Sequence, residues 1–253
     1  MSRTFDERGE GASDARATRP RLHAADCLVT ATHRAARWKL LESLLWTPED
    51  GYFLVERHLH RAAQSAAFFG WCISPPRLRA ALHRHSQQLT ESSKVRLLVS
   101  SSGRHEIESA PLATEAAAIQ ASVGRNPVDP RDDLLRHKTT YRVVYDSALA
   151  DAPESGDVLL WNTRGEVTET CYGNLVFRLG DRLVTPALQC GLLPGVYRGQ
   201  LLEDGVLCEG IVRLSELDQA DEIYRINSVR KWTRLNLLTE SPAPISSTLQ
   251  RIR

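Results

Sequence analysis

Leu135-Arg136-His137-Lys138-Thr139-Thr140-Tyr141-Arg142 is the stretch on which the reading of this chain depends. It sets a lysine between a linker and a segment that reads as a helix from about Thr139 to Leu149. Lysine is scarce here: Lys39, Lys94, Lys138 and Lys231 are the four, and arginine supplies the remainder of the 32 basic residues. Arginine stays charged at any useful pH and forms no imine, so a lysine kept in such a composition draws attention. Imine chemistry needs a desolvated amine of lowered pKa. Position alone favours the plainer alternative, a solvated lysine at a helix start.

Upstream of this run, Asn126-Pro127-Val128-Asp129-Pro130 carries two prolines that hold their predecessors extended. It is read as the interdomain linker, residues 126–132, between an N-terminal domain (38–125) and a C-terminal domain (133–253). In the first, Lys39 to Trp46 and Tyr52 to Glu56 read as a hairpin around Thr47-Pro48-Glu49-Asp50-Gly51. A helix is expected from His58 to Trp71 and a second from Pro75-Pro76 through Leu82. Strands follow at Lys94–Ser100 and Arg104–Glu108, which makes the unit α+β. In the second domain, strands at Val158–Asn162, Val167–Thr170 and Leu175–Leu179 read as an antiparallel set. A helix at Val196–Leu202 and a strand at Glu222–Asn227 complete it. Residues 1–37, rich in charge and poor in apolar periodicity, read as a poorly ordered extension.

Composition narrows the function. The 253 residues are 42% apolar, enough for a real core, and the formal charge is +1. No global field favours nucleic acid or an anionic membrane. No apolar run approaches the roughly 20 residues that cross a bilayer, and no secretory h-region opens the chain, so a cytoplasmic location is expected. Cys27, Cys72, Cys171, Cys190 and Cys208 are odd in number and without a CxxC pair, which argues against a disulfide framework and a zinc site. His58 with His60, and His83 with His85, are spaced to point apart on a helix, so no metal is expected. GxGxxG, Walker, GxSxG and HExxH motifs do not occur.

Three further segments carry chemistry. In Gly165-Glu166-Val167-Thr168-Glu169-Thr170, strand alternation puts Glu169 on the side of Val167, where a cationic partner is needed; an edge strand with Glu169 in water is the alternative. Gly191-Leu192-Leu193-Pro194-Gly195-Val196-Tyr197-Arg198 opens a helix whose free amides could cradle phosphate, though such helix starts are common. Arg57-His58-Leu59-His60-Arg61 offers Arg61 as a bidentate phosphate clamp, with Asn227 and Ser228 of Ile226-Asn227-Ser228-Val229-Arg230 adding neutral hydrogen bonds. Surface arginines, equally, are usually just solvated.

In chain order, these segments together resemble the fold type IV pyridoxal-phosphate enzymes, the class IV aminotransferase family, from about Leu40 to Asn236. The resemblance implies a two-domain α+β fold, with a smaller N-terminal α/β domain and a larger C-terminal domain built on an antiparallel sheet. It implies pyridoxal 5'-phosphate as cofactor. By position, Lys138 corresponds to the Schiff-base lysine and Glu169 to the acid beside the pyridine nitrogen. Arg61, the amides of Val196 and Tyr197 after Gly195, and Asn227 with Ser228 correspond to the phosphate site, and Asn174 to a supporting asparagine. Ser43 stands where a threonine that assists the lysine is usual; its hydroxyl is kept.

The run Leu41-Glu42-Ser43-Leu44-Leu45-Trp46 with Gly51-Tyr52-Phe53-Leu54, with His137-Lys138-Thr139-Thr140 and the Ile226–Arg230 loop, most resembles lyase modules found behind aminodeoxychorismate synthase. The first expectation is therefore a 4-amino-4-deoxychorismate lyase of folate biosynthesis, releasing pyruvate and 4-aminobenzoate. The alternatives are an aminotransferase acting on branched-chain or D-amino acids, and an inert member serving as a binding subunit. By resemblance the chain is a homodimer acting on a small amino substrate, with aminodeoxychorismate synthase as a possible partner.

Overall fold

The computed structural model describes residues 37–114 and 116–238. All but the last residue of the expected N-terminal extension lie outside them, as does the end of the C-terminal domain from residue 239.

The first sheet is four-stranded and antiparallel, in the order β2-β1-β3-β4, from β1 (Leu40–Thr47), β2 (Gly51–Tyr52), β3 (Ser93–Val99) and β4 (His105–Pro111). Two helices accompany it, α1 (Val55–Phe68) and α2 (Pro75–Ser86). Leu40 and Leu44 of β1, Leu59 and Ala66 of α1, Leu78 and Leu82 of α2, and Val95, Leu97 and Val99 of β3 share one buried cluster with Phe69. Pro75 and Pro76 open α2, where a missing N–H costs nothing.

The hairpin's second strand is shorter than expected. Gly51 and Tyr52 pair with β1, Phe53 N adds one bond to Leu45 O, and α1 begins at Val55, where the sequence suggested strand to Glu56. Leu54, in the left-handed region at φ 53, turns the chain into the helix. A left-handed leucine costs about 1–2 kcal/mol. The burial of Leu59, Ala62 and Ala66 against the sheet holds it there.

The second sheet runs β10-β9-β8-β11-β12-β5-β6-β7, with a further β7–β8 pairing. Its strands are β5 (Ala118–Val123), β6 (Asp157–Trp161), β7 (Val167–Thr170), β8 (Asn174–Leu179), β9 (Arg182–Pro186), β10 (Cys208–Gly210), β11 (Glu222–Asn227) and β12 (Lys231–Leu237). The extra pairing, Glu169 opposite Asn174, closes six of them into a ring. Helices α3 (Val143–Ala150) and α4 (Val196–Glu203) belong to this half.

Two expectations need correction here. The larger sheet is mixed rather than antiparallel: β5 is parallel to both of its neighbours, β6 and β12, and β10 is parallel to β9. The chain also enters this sheet before the proline-rich linker. β5, placed on sequence grounds in the 38–125 unit, pairs with Arg234 to Leu237 and with Asp157 to Leu159. A short segment with weak alternation gains its strand identity only from such distant partners.

Candidate active site

Lys138 does not open a helix. Its carbonyl accepts a 2.9 Å bond from Leu41 N, and Thr140 N donates to Lys39 O, so the run lies extended beside β1. Lys39 N donates in turn to Thr140 Oγ1, and Tyr141 N to Thr139 Oγ1. The β-branched threonines favour this extended form, and the expected helix starts only at Val143. Lys138 reaches solvent only in part, at the cavity it lines, and no side-chain partner for its ammonium is found among the described residues. Desolvation and the nearby Arg61 push its pKa down to about 8, against the opposing pull of Glu42.

Glu169 sits where the ring closes, on a strand whose four residues are all buried. Oε1 accepts from Tyr145 Oη at 2.8 Å and from Leu193 N at 3.2 Å; Oε2 has only a long 3.4 Å contact with Asn174 Nδ2. Burial raises its pKa to about 7, although these donors work the other way. No cationic side chain pairs with Oε2 among the described residues, and it borders the same cavity as Lys138.

Arg61 is not a surface arginine. It is buried against Glu42, donating Nε to Oε1 at 3.0 Å and an Nη to Oε2 at 2.5 Å, while another Nη donates to Pro194 O. Thus α1 is fastened to the loop before α4. Burial would raise the pKa of Glu42, but Arg61 and His58 together hold it down to about 2. A carboxylate inside the apolar run Leu40-Leu41-Glu42-Ser43-Leu44-Leu45 demanded such partners, and that was the sequence signal for them.

Gly195 caps α4 without a side chain; a Cβ there would stand 1.9 Å from Asn174 Oδ1. Asn174 Nδ2 donates to Leu193 O, so this loop is drawn onto β8. The first-turn amides of α4, including those of Val196 and Tyr197, have no acceptor within the helix and are disposed to meet an anion. Arg198 plays a different part: it is buried and donates to Thr185 Oγ1, Pro186 O and Glu209, anchoring the helix to β9 and β10.

Asn227 spends its side chain on its own loop and on the turn between β7 and β8. Oδ1 accepts from Val229 N and Arg230 N, and Nδ2 donates to Tyr172 O, which shapes the turn that carries the buried Ser228. Ser43, Arg61, Lys138, Glu169, Asn174, Gly195, Val196, Tyr197, Asn227 and Ser228 all border one cavity of about 480 Å³ between the two sheets.

Three participants escaped the sequence reading. Tyr145 follows Lys138 by seven residues, yet nothing local showed that its hydroxyl reaches Glu169. Its pKa is raised well above the usual phenol value by burial and by Glu169, so it remains a donor. Arg142 lies over the rings of Tyr145 (4.7 Å) and Tyr172 (5.7 Å) and donates to Cys171 O. Glu42 with His58 forms the third, His58 Nδ1 lying 2.6 Å from Glu42 Oε2.

The donor set suits pyridoxal phosphate. It provides a desolvated lysine, a carboxylate oxygen bordering the cavity for a ring nitrogen, and amides with an arginine for a phosphate.

The family model for class IV amino-transferases matches residues 39–238. A Schizosaccharomyces pombe protein provisionally named an aminodeoxychorismate lyase is 30% identical over 201 residues, covering 76% of this chain and 86% of its own length. A Mesorhizobium loti structure, provisionally described as an amino-acid aminotransferase, matches with a TM-score of 0.75 at 32% identity, covering 79% of this chain and all of its own. A hypothetical aminotransferase from Mycobacterium tuberculosis in its pyridoxal-phosphate-bound form shares the fold, with a TM-score of 0.69 at 23% identity over 79% of this chain and 80% of its own. Among the described residues no helix is long and apolar enough to cross a membrane.

Proposed function

Because the chain belongs to the class IV amino-transferase family of pyridoxal-phosphate enzymes, we propose that it is a 4-amino-4-deoxychorismate lyase, releasing pyruvate and 4-aminobenzoate. The observation that carries the choice is the 30% identity to the lyase-named relative, of which this chain covers 86%.

Bound pyridoxal phosphate supplies an electron sink, which lets the C–H bond beside the substrate amine break. The chain's own residues do the remainder. Lys138, with its amine near pKa 8, is neutral in an appreciable fraction at physiological pH and takes the proton from the amine-bearing ring carbon. The ring C–O bond to the enolpyruvyl group then breaks, aromatising the ring, and the released enolpyruvate takes a proton on its methylene carbon to become pyruvate. Glu169 Oε2 would hold a proton on the cofactor's ring nitrogen, and Tyr145 and Leu193 N fix the carboxylate's orientation. Arg61 and the α4 amides would hold the phosphate, and Ser43, bordering the cavity, would assist at the lysine. The same reading makes the protein a cytoplasmic homodimer supplied by an aminodeoxychorismate synthase. Exposed Tyr141 and Tyr172, which border the cavity, support burial by a second subunit.

An aminotransferase is the second reading, favoured by the name of the Mesorhizobium loti neighbour. The experiment supplies aminodeoxychorismate, and separately D-alanine or branched-chain amino acids with 2-oxoglutarate, and compares kcat/KM. Faster keto-acid formation than 4-aminobenzoate release overturns the lyase and leaves the cofactor assignment standing. A mass measurement by light scattering tests the dimer.

A further inference from the structure

His58 is 2% exposed, and its two nitrogens are treated differently. Nδ1 lies 2.6 Å from Glu42 Oε2, a carboxylate that needs donors. Nε2 is buried with no hydrogen-bond partner among the described residues, and the residue borders the cavity. A buried polar atom without a partner is costly and uncommon. His58 stands one turn before Arg61 on α1, on the same carboxylate, and Arg61 in turn reaches Pro194 O ahead of the α4 amides.

We propose that His58 is a phosphate-binding residue: Glu42 holds its Nδ1 and thereby presents its Nε2 to the anion end of the cavity beside Arg61. This rests on the reading of Arg61 and the α4 amides as that anion end. Donating from Nδ1 to Glu42 and from Nε2 to a phosphate oxygen requires the imidazolium. In the protein without ligand the ring is held neutral by burial, with Arg61 and Lys138 opposing a further cation and only Glu42 favouring it. Among the described residues those three are the charged groups that act on it. A phosphate dianion reverses the balance, so His58 takes a proton from solvent as the phosphate binds and becomes cationic.

The test titrates apoprotein with pyridoxal phosphate and with pyridoxal, which lacks the phosphate. In His58→Asn the amide replaces the Nδ1 donor to Glu42 and reaches no further. Its affinity for pyridoxal phosphate is expected to fall on the order of tenfold or more, with that for pyridoxal nearly unchanged. His58→Gln, whose amide reaches the Nε2 position, loses less. On the wild type at pH 8, calorimetry in buffers of different ionisation enthalpy is expected to show about one more proton taken up with pyridoxal phosphate than with pyridoxal. That readout decides the matter even where the variants fail to fold. Equal losses for both ligands in His58→Asn, or equal proton uptake in the wild type, overturns the proposal. If Arg61→Gln discriminates between the ligands and His58→Asn does not, His58 is excluded and the anion end stands. If neither discriminates, the phosphate binds elsewhere and both fall.

Discussion

Tyr145 Oη donates to Glu169 Oε1 across 2.8 Å, tying α3 to β7 at the strand pair that closes the larger sheet. The bond uses one carboxylate oxygen and leaves the other with only the long contact from Asn174. Orientation of Glu169 therefore depends on a residue from a separate element.

Tyr145→Phe removes a donor that holds the Glu169 pKa down, so that pKa rises further above about 7. Where ionised Glu169 is needed, the acid limb of the pH–rate profile moves to higher pH. Turnover at neutral pH falls on the order of tenfold, the worth of one hydrogen bond to a charged group. An unshifted acid limb would place Tyr145 outside the catalytic arrangement.

Lys138→Ala is expected to abolish the visible absorption band of the yellow holoprotein. Borohydride reduction and peptide mapping of the wild type give the direct check. Label on Lys39, Lys94 or Lys231 would sink the assignment of Lys138.

Glu169→Gln keeps cofactor binding and loses activity by roughly ten- to a hundredfold, since a neutral amide forfeits about 1.5–3 kcal/mol of charge-assisted bonding. Steady-state kinetics at saturating cofactor measure it. Turnover equal to wild type would make Glu169 a structural residue only.

Stability of the apoprotein carries the same carboxylate's signature. The folded-state pKa near 7 lies above the ordinary 4.5, so between those values the folded chain binds more protons than the unfolded one. Stability from this group is present below pH 4.5 and is lost as pH rises through 7. Lys138 is depressed from 10.5 to about 8, so its effect has the opposite sign and appears between pH 8 and 10.5. Melting temperatures from pH 5 to 7.5 should fall less steeply in Glu169→Gln than in wild type. Parallel curves would contradict the raised pKa.

Arg61→Ala strands Glu42, a buried carboxylate left with His58 alone. Breaking one side of a buried pair costs about 3–5 kcal/mol. Chemical denaturation of the apoprotein should show that loss, and Arg61→Ala with Glu42→Gln should recover much of it. A loss below 1 kcal/mol would mean the pair is better solvated than its burial indicates.

Local chemistry was legible wherever neighbouring residues decide the conformation. Glycines at 165 and 180 adopt positive φ in the turns that join β6 to β7 and β8 to β9, Pro194-Gly195 precedes α4, and β7 and β11 keep the bounds read from their patterns. The family was legible too, because its lysine, glutamate and glycine–proline segments stand in order along the chain. What sequence could not supply were relations between residues far apart. Lys138 to Thr140 leads into an expected helix, and backbone bonds to Lys39 and Leu41 hold it extended instead. β5 became a strand of the larger sheet only through β6 and β12. The partners of Glu42 lie on α1 and those of Glu169 on α3 and the loop before α4. Composition and periodicity could state that a buried carboxylate needs a donor. Which donor it receives is settled by packing, since a buried charge is held only where the whole fold brings a donor within hydrogen-bond reach.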